Sequence, residues 1–141
     1  MRITCKSNKG DGLPEKYFRE GYTRESEFHL VIGKNYTVFG MALWRSVLVL
    51  LLLDEDHLPN WYPIDLFSVE DPRLPESWFF ASYQGNELLV QALWGYERLV
   101  CDSSHHDALS DREPNAMKLF FEEVRRRCES EPSTRQELSA A

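Results

Sequence analysis

Apolar positions follow two different periods along this chain. Phe28, Leu30 and Ile32 alternate with His29 and Val31, the two-residue period of a β-strand. Gly33-Lys34 then marks a turn. Tyr36, Val38 and Gly40 alternate with Thr37, Phe39 and Met41, with apolar groups on both faces, which predicts a largely buried strand. Ser46 to Leu53 is apolar throughout after its serine. Its length and flanking turn residues predict another buried strand, although leucine by itself favours helix. Asp54-Glu55-Asp56-His57 is a polar connection, and Trp61-Tyr62-Pro63 resumes the apolar content. Leu66, Phe67 and Val69 predict a short turn followed by a closing strand.

The flanks carry weaker signals. Arg2 to Lys6 predicts a short strand, Ser7 to Leu13 a loop rich in Asn, Asp and Gly, and Pro14 to Glu20 a helical turn stopped by Gly21. Asp71-Pro72-Arg73-Leu74-Pro75 is an internal boundary, because two prolines in four residues sustain neither a helix nor a central strand. Trp78 to Tyr83 and Leu88 to Trp94 predict a hairpin turning through Gln84 to Glu87. The period then changes. Met117, Phe120, Phe121, Val124 and Cys128 recur every three or four residues, the spacing of an amphipathic helix. Asp111 is its expected N-cap, with Glu113 and Pro114 in the first turn and Arg125-Arg126-Arg127 in the last. Ser104 to Leu109 predicts a shorter helix before it, and the polar stretch 129–141 predicts a disordered tail.

Together these elements predict an α+β fold with one globular domain over residues 1–128. Its core is a small, strongly curved antiparallel five-stranded β-barrel over about residues 28–70. A β-hairpin at 77–94 extends the barrel, C-terminal helices span 104–128, and Phe120, Phe121 and Val124 of the last helix cover the open side.

Leu30 to Val38 resembles the opening of a Src-homology-3 (SH3)-like barrel, in which a glycine turn feeds an alternating strand. Tyr62 to Val69 is similar to the closing pattern, aromatic-Pro leading through one helical turn into the last strand. The tandem tryptophan of peptide-binding members is absent, so the resemblance implies the barrel and not proline-peptide recognition. Ser7–Thr23, Phe28–Trp44, Asn60–Phe67, Leu74–Phe80, Leu93–Val100 and the final helix are also similar to segments of a family of small bacterial proteins. Some of those carry a purine-biosynthesis label, but no phosphate-binding signature accompanies the resemblance here. In style the chain resembles immunity proteins, small acidic domains that neutralise bacterial toxins.

Composition narrows the function classes. The 141 residues carry a net charge of −7, distributed as +3 over residues 1–53 and −10 over residues 54–141. Such a surface repels nucleic-acid phosphate and suits a basic protein partner. Three cysteines, Cys5, Cys101 and Cys128, have neither CxxC spacing nor an even count, so reduced thiols in a cytoplasm are expected. The N-terminal residues lack the apolar core of a signal peptide, and Val47 to Leu53 is too short to cross a bilayer, so no membrane association is expected.

No nucleophile elbow and no Gly-rich phosphate loop occurs. The expected function is therefore a non-enzymatic cytoplasmic protein-binding module without cofactor or metal, with a homodimer allowed, and the resemblance in style implies an immunity-type inhibitor of a basic toxin. Its expected partner-binding residues are Asp54, Glu55, Asp56, Trp61 and Tyr62 at one barrel rim, with Glu70 and Asp71. Trp61 and Tyr62 have a second reading as side chains that plug the barrel end. The alternative function is a small metal-binding protein or enzyme. It would use His57 beside the acidic triplet, or His105-His106 four residues after Cys101.

Overall fold

A strand that is apolar on both faces needs a packed layer on each side, and this requirement organises the molecule. The computed structural model describes residues 1–83 and 90–130, with the backbone alone for Glu129 and Ser130. Its strands are β1 (Arg2–Cys5), β2 (Asn35–Thr37), β3 (Gly40–Trp44), β4 (Val47–Leu53), β5 (Pro59–Pro63), β6 (Phe67–Asp71), β7 (Phe79–Ser82) and β8 (Val90–Gly95). Its α-helices are α1 (Glu97–Cys101), α2 (Ser103–Ser110) and α3 (Pro114–Ser130). The fold is α+β, with two antiparallel sheets ordered β2-β1-β6 and β5-β4-β3-β8-β7.

The leucine-rich run is β4, next to the edge of the larger sheet. Val47, Val49 and Leu51 lie opposite Trp44, Ala42 and Gly40 on one face, and Leu48, Leu50 and Leu52 point to the other. Leu50, Leu51 and Leu52 are all fully buried, so neither face of the strand is a solvent face. The turn that feeds it is Arg45-Ser46, two residues with φ of 49° and 67°. Positive φ at both central positions matches the right-handed twist of a tight hairpin, though without the usual Asn or Gly. Arg45 lies over the Trp44 ring, and the Ser46 N–H donates to the Gln91 side chain at 2.9 Å.

Among the described residues the strands do not close into a barrel. The chain instead passes from the small sheet to the large one at Val38-Phe39, both buried. It returns through a 3-10 turn at Ile64–Leu66. The expected strand at Phe28–Ile32 is absent. Both edges of β1 are already paired, with β2 and β6, which leaves no ladder position for it. Leu30 is buried, whereas Ile32 is 59% exposed. The Gly33 N–H donates to the Cys5 carbonyl at 2.7 Å, and the segment rounds a turn at Gly33, φ 88°.

β7 and β8 pair as the hairpin pattern predicts. The predicted turn at Gln84–Glu87 falls outside the described residues, as does most of the predicted tail, residues 131–141. The helices depart from expectation in two ways. α1 is an additional element, and α3 begins at Pro114 instead of Arg112. Asp111 follows the last turn of α2 and does not cap α3, because Arg112, φ 55°, turns the chain between the two helices.

Phe120 is fully buried, its ring 5.4 Å from that of Phe39. Arg127, expected in the last turn of this helix, is buried. Its guanidinium donates to the Val38 carbonyl at 3.1 Å and lies over Phe39. α3 therefore clamps the point where the chain changes sheets. α1 seats on bare backbone: a Cβ at Gly40 or Gly95 would stand 2.5 or 2.6 Å from Leu99 Cδ2. Phe120→Ala should cost about 3–5 kcal/mol, and Gly40→Val about 1–3 kcal/mol or more by forcing Leu99 off the sheet. Urea denaturation measures both, and a cost near zero at either position would contradict this packing.

Candidate functional site

The loop after β4 is folded around one carboxylate. Asp54 is only 3% exposed. Its Oδ2 accepts from the Tyr62 hydroxyl at 2.6 Å and from Asn60 Nδ2 at 2.7 Å. Its Oδ1 accepts from the backbone N–H groups of Asp56 and Leu58, at 3.0 and 3.2 Å. Asn60 Oδ1 in turn accepts from Arg112 at 2.9 Å, tying this loop to the turn before α3. Burial pushes the Asp54 carboxyl up, but the four hydrogen bonds together outweigh it and hold it below the usual value. The Tyr62 hydroxyl is pushed up by burial and by its bond to this carboxylate.

The other expected contact residues lie in separate places. Glu55 accepts from Lys34 Nζ at 2.7 Å and from the Tyr36 hydroxyl at 2.6 Å, and these bonds hold its carboxyl down. Exposed Asp56 pairs with exposed His29 and raises its pKa. His57 is exposed at the loop tip with φ 57°. Glu70 and Asp71 belong to β6 in the other sheet, where Arg73 grips Asp71 through Nε at 2.9 Å and Nη2 at 2.7 Å. Trp61 and Tyr62 are neighbours on β5, so they project to opposite faces.

On the Trp61 face the sheet forms an aromatic groove. Trp44 and Val90, which are register partners, and His106 line two adjoining cavities of about 280 and 250 Å³. The first also touches Ala42, Val49 and Trp61, and the second touches Tyr83, Leu93 and Asp107. Gly40, Ala42 and Trp44 alternate on this face of β3, so two small residues precede a large one and leave a trough. The wall is α2. Its Asp102 cap accepts from the N–H groups of Ser104 and His105, at 3.0 and 3.3 Å.

The adjacent histidines of α2 have different surroundings. The His105 ring is buried, with Nε2 2.7 Å from the Tyr96 hydroxyl. The His106 ring meets Trp61 edge-on, with centroids 6.0 Å apart. Its Nδ1 is buried without a hydrogen-bond partner. Burial lowers the pKa of both rings, so both are neutral at neutral pH. Cys101 is exposed. Among the described residues no three His, Cys, Asp or Glu side chains gather to hold a metal ion. Also among them, no helix is long and apolar enough to cross a membrane.

Comparison of the chain with family models, curated proteins and solved structures returns no match.

Asp54→Asn should destabilise the protein by about 2–3 kcal/mol, because the substituted amide sets a donor against the Asn60 amide. Glu55→Gln should cost less than about 1 kcal/mol. The sign of the pH dependence follows from the lowered Asp54 pKa. Its stabilisation is complete above the unfolded carboxyl value of 3.8 and fades as the pH falls below that. Urea titrations of both variants between neutral and acid pH measure this, and identical acid dependence in wild type and Asp54→Asn would refute it.

Proposed function

We propose that the protein is a non-catalytic binding module for a basic protein partner, of the class that an immunity-type inhibitor of a basic toxin represents. The observation that carries this reading is the groove between the large sheet and α2. Concave, mostly apolar sites with a few polar groups are the usual form of a binding site. Trp44, Trp61 and Tyr83 offer large, stiff contact surfaces, and tryptophan and tyrosine are over-represented among residues that dominate binding energy.

Charge supports the choice of partner. The whole chain carries −7, and Asp107 is the acidic residue among the described residues lining the groove. A basic segment entering beside Trp61 would meet an aromatic surface that attracts cations and an overall field that speeds encounter. The reading moves the contact from the Asp54 loop to the Trp61 face. It keeps Trp61 as a contact residue and makes Asp54 and Tyr62 the support beneath β5. The free thiols of Cys5 and Cys101 suit a reducing cytoplasm.

The fold reading that accompanies it is an opened SH3-like barrel running from β1 to β6. In its support, β2 and β3 are two halves of one strand bent at Val38-Phe39, and a 3-10 turn precedes the last strand.

A displayed library of basic peptides containing aromatic or long aliphatic residues tests the function. Peptides should bind at low ionic strength, quench tryptophan fluorescence and weaken as salt screens the field. Trp61→Ala should reduce affinity about 30-fold or more with its far-ultraviolet circular dichroism unchanged. A failure of every basic sequence to bind, or binding indifferent to Trp61→Ala, would overturn the proposal.

A further inference from the structure

A sheet edge is a row of unpaired backbone donors and acceptors, and proteins normally blunt it. Three of the edges among the described residues are blunted here. β5 begins and ends with proline, at Pro59 and Pro63, which lack the N–H a neighbour would need. β6 ends in Glu70-Asp71 and runs into Pro72. β2 is three residues long.

β7 has none of these devices. From Trp78 to Tyr83 the chain reads WFFASY, without charge, proline or glycine. Its ladder with β8 contains no bulge. Phe79 is 45% exposed and Phe80 57%, so the strand shows apolar side chains beside an edge that no other described strand pairs.

The register defines which backbone groups face outward. The Tyr83 N–H donates to the Gln91 carbonyl at 2.8 Å, which makes this an inward-bonded pair. Antiparallel ladders alternate, so Ala81 and Phe79 also bond inward to β8, and the N–H and C=O groups of Phe80 and Ser82 point away from it. This outward pattern is symmetric about Ala81. A strand laid antiparallel on it with Phe80 opposite Ser82 would satisfy every outward group between them.

We infer that β7 pairs antiparallel with β7 of a second copy of this chain, about a two-fold axis at Ala81. The two larger sheets become one continuous sheet. The Phe80 N–H donates to the Ser82 carbonyl of the other copy, the Ser82 N–H donates to its Phe80 carbonyl, and symmetry repeats both bonds. Phe80, whose ring lies tilted against Trp94 with centroids 5.0 Å apart, adds an apolar cover across the junction. Charge favours a second copy over a basic partner at this edge. Two molecules that each carry −7 repel except where they meet without charge, and residues 78–83 are an uncharged run at the edge of the described sheet.

Sedimentation velocity of the full chain over a concentration series tests the inference. A reversible dimer is expected. Ser82→Pro removes an outward N–H and leaves the inward ladder intact, so it should raise the dimer dissociation constant by about tenfold or more. Ser82→Lys places like charge across the axis and should give a monomer. Circular dichroism and the urea midpoint of the monomeric variants check that the fold persists. A wild-type chain that remains monomeric throughout would overturn the inference. So would a dimer that survives both substitutions, or open-ended association beyond the dimer. None of these results depends on whether the groove binds basic peptides.

Discussion

The double-sided burial of β4 is the constraint on which the rest of the structure depends. Burying one leucine or valine side chain contributes about 1.5–3 kcal/mol, and β4 presents such side chains alternately to two faces. One face carries the Gly40 and Gly95 backbone against which Leu99 of α1 packs. The other carries Leu50, Leu52 and Tyr62, whose ring meets Phe28 edge-on with centroids 6.0 Å apart. Two layers over one strand require the chain to leave the large sheet and return to it. The crossing at Val38-Phe39 is therefore buried and clamped by Phe120 and Arg127 of α3.

Asp54 and the Arg127 guanidinium find hydrogen-bond partners at the ends of this core, and that matching turns sequence features of apparent surface character into struts. Asp54 stands at the head of an acidic triplet, yet four donors converge on it and it anchors the loop that leads from β4 into β5. A carboxylate held this way is stable only while every donor remains in place, which rigidifies the loop. Glu55 is likewise engaged by Lys34 and Tyr36. The loop's negative charge is thus committed largely to structure. The open aromatic surface lies on the opposite side of β5, where small residues of β3 leave room beneath α2.

Much of this was legible in the chain. The β4 run, the Gly33 turn, the 3-10 turn before β6, the β7–β8 pairing and the apolar stripe of α3 follow from local periodicity and turn chemistry. The groove was legible only in part. Trp61 stood out as an aromatic beside an acidic loop, but its partners Trp44, Val90 and His106 are remote from it in sequence. The alternation of Gly40, Ala42 and Trp44 is the one local hint of a trough. The Arg45-Ser46 hairpin was hidden because its positive-φ residues are neither glycine nor asparagine, and the contacts that hold them come from Trp44 and Gln91.

By itself the sequence determined which segments are apolar and with what period, because hydrophobic burial and backbone geometry act within a few residues. It also determined a net negative charge. Only the tertiary structure decided which strands pair. Phe28–Ile32 has a strand's alternation, but β2 and β6 already occupy both edges of β1, and ladder positions are a long-range resource that no local pattern can reserve. The same holds for charge. Nothing local shows that Asp54 and Arg127 are buried, and Tyr62, Asn60 and the Val38 carbonyl, brought together by the fold, make that burial favourable.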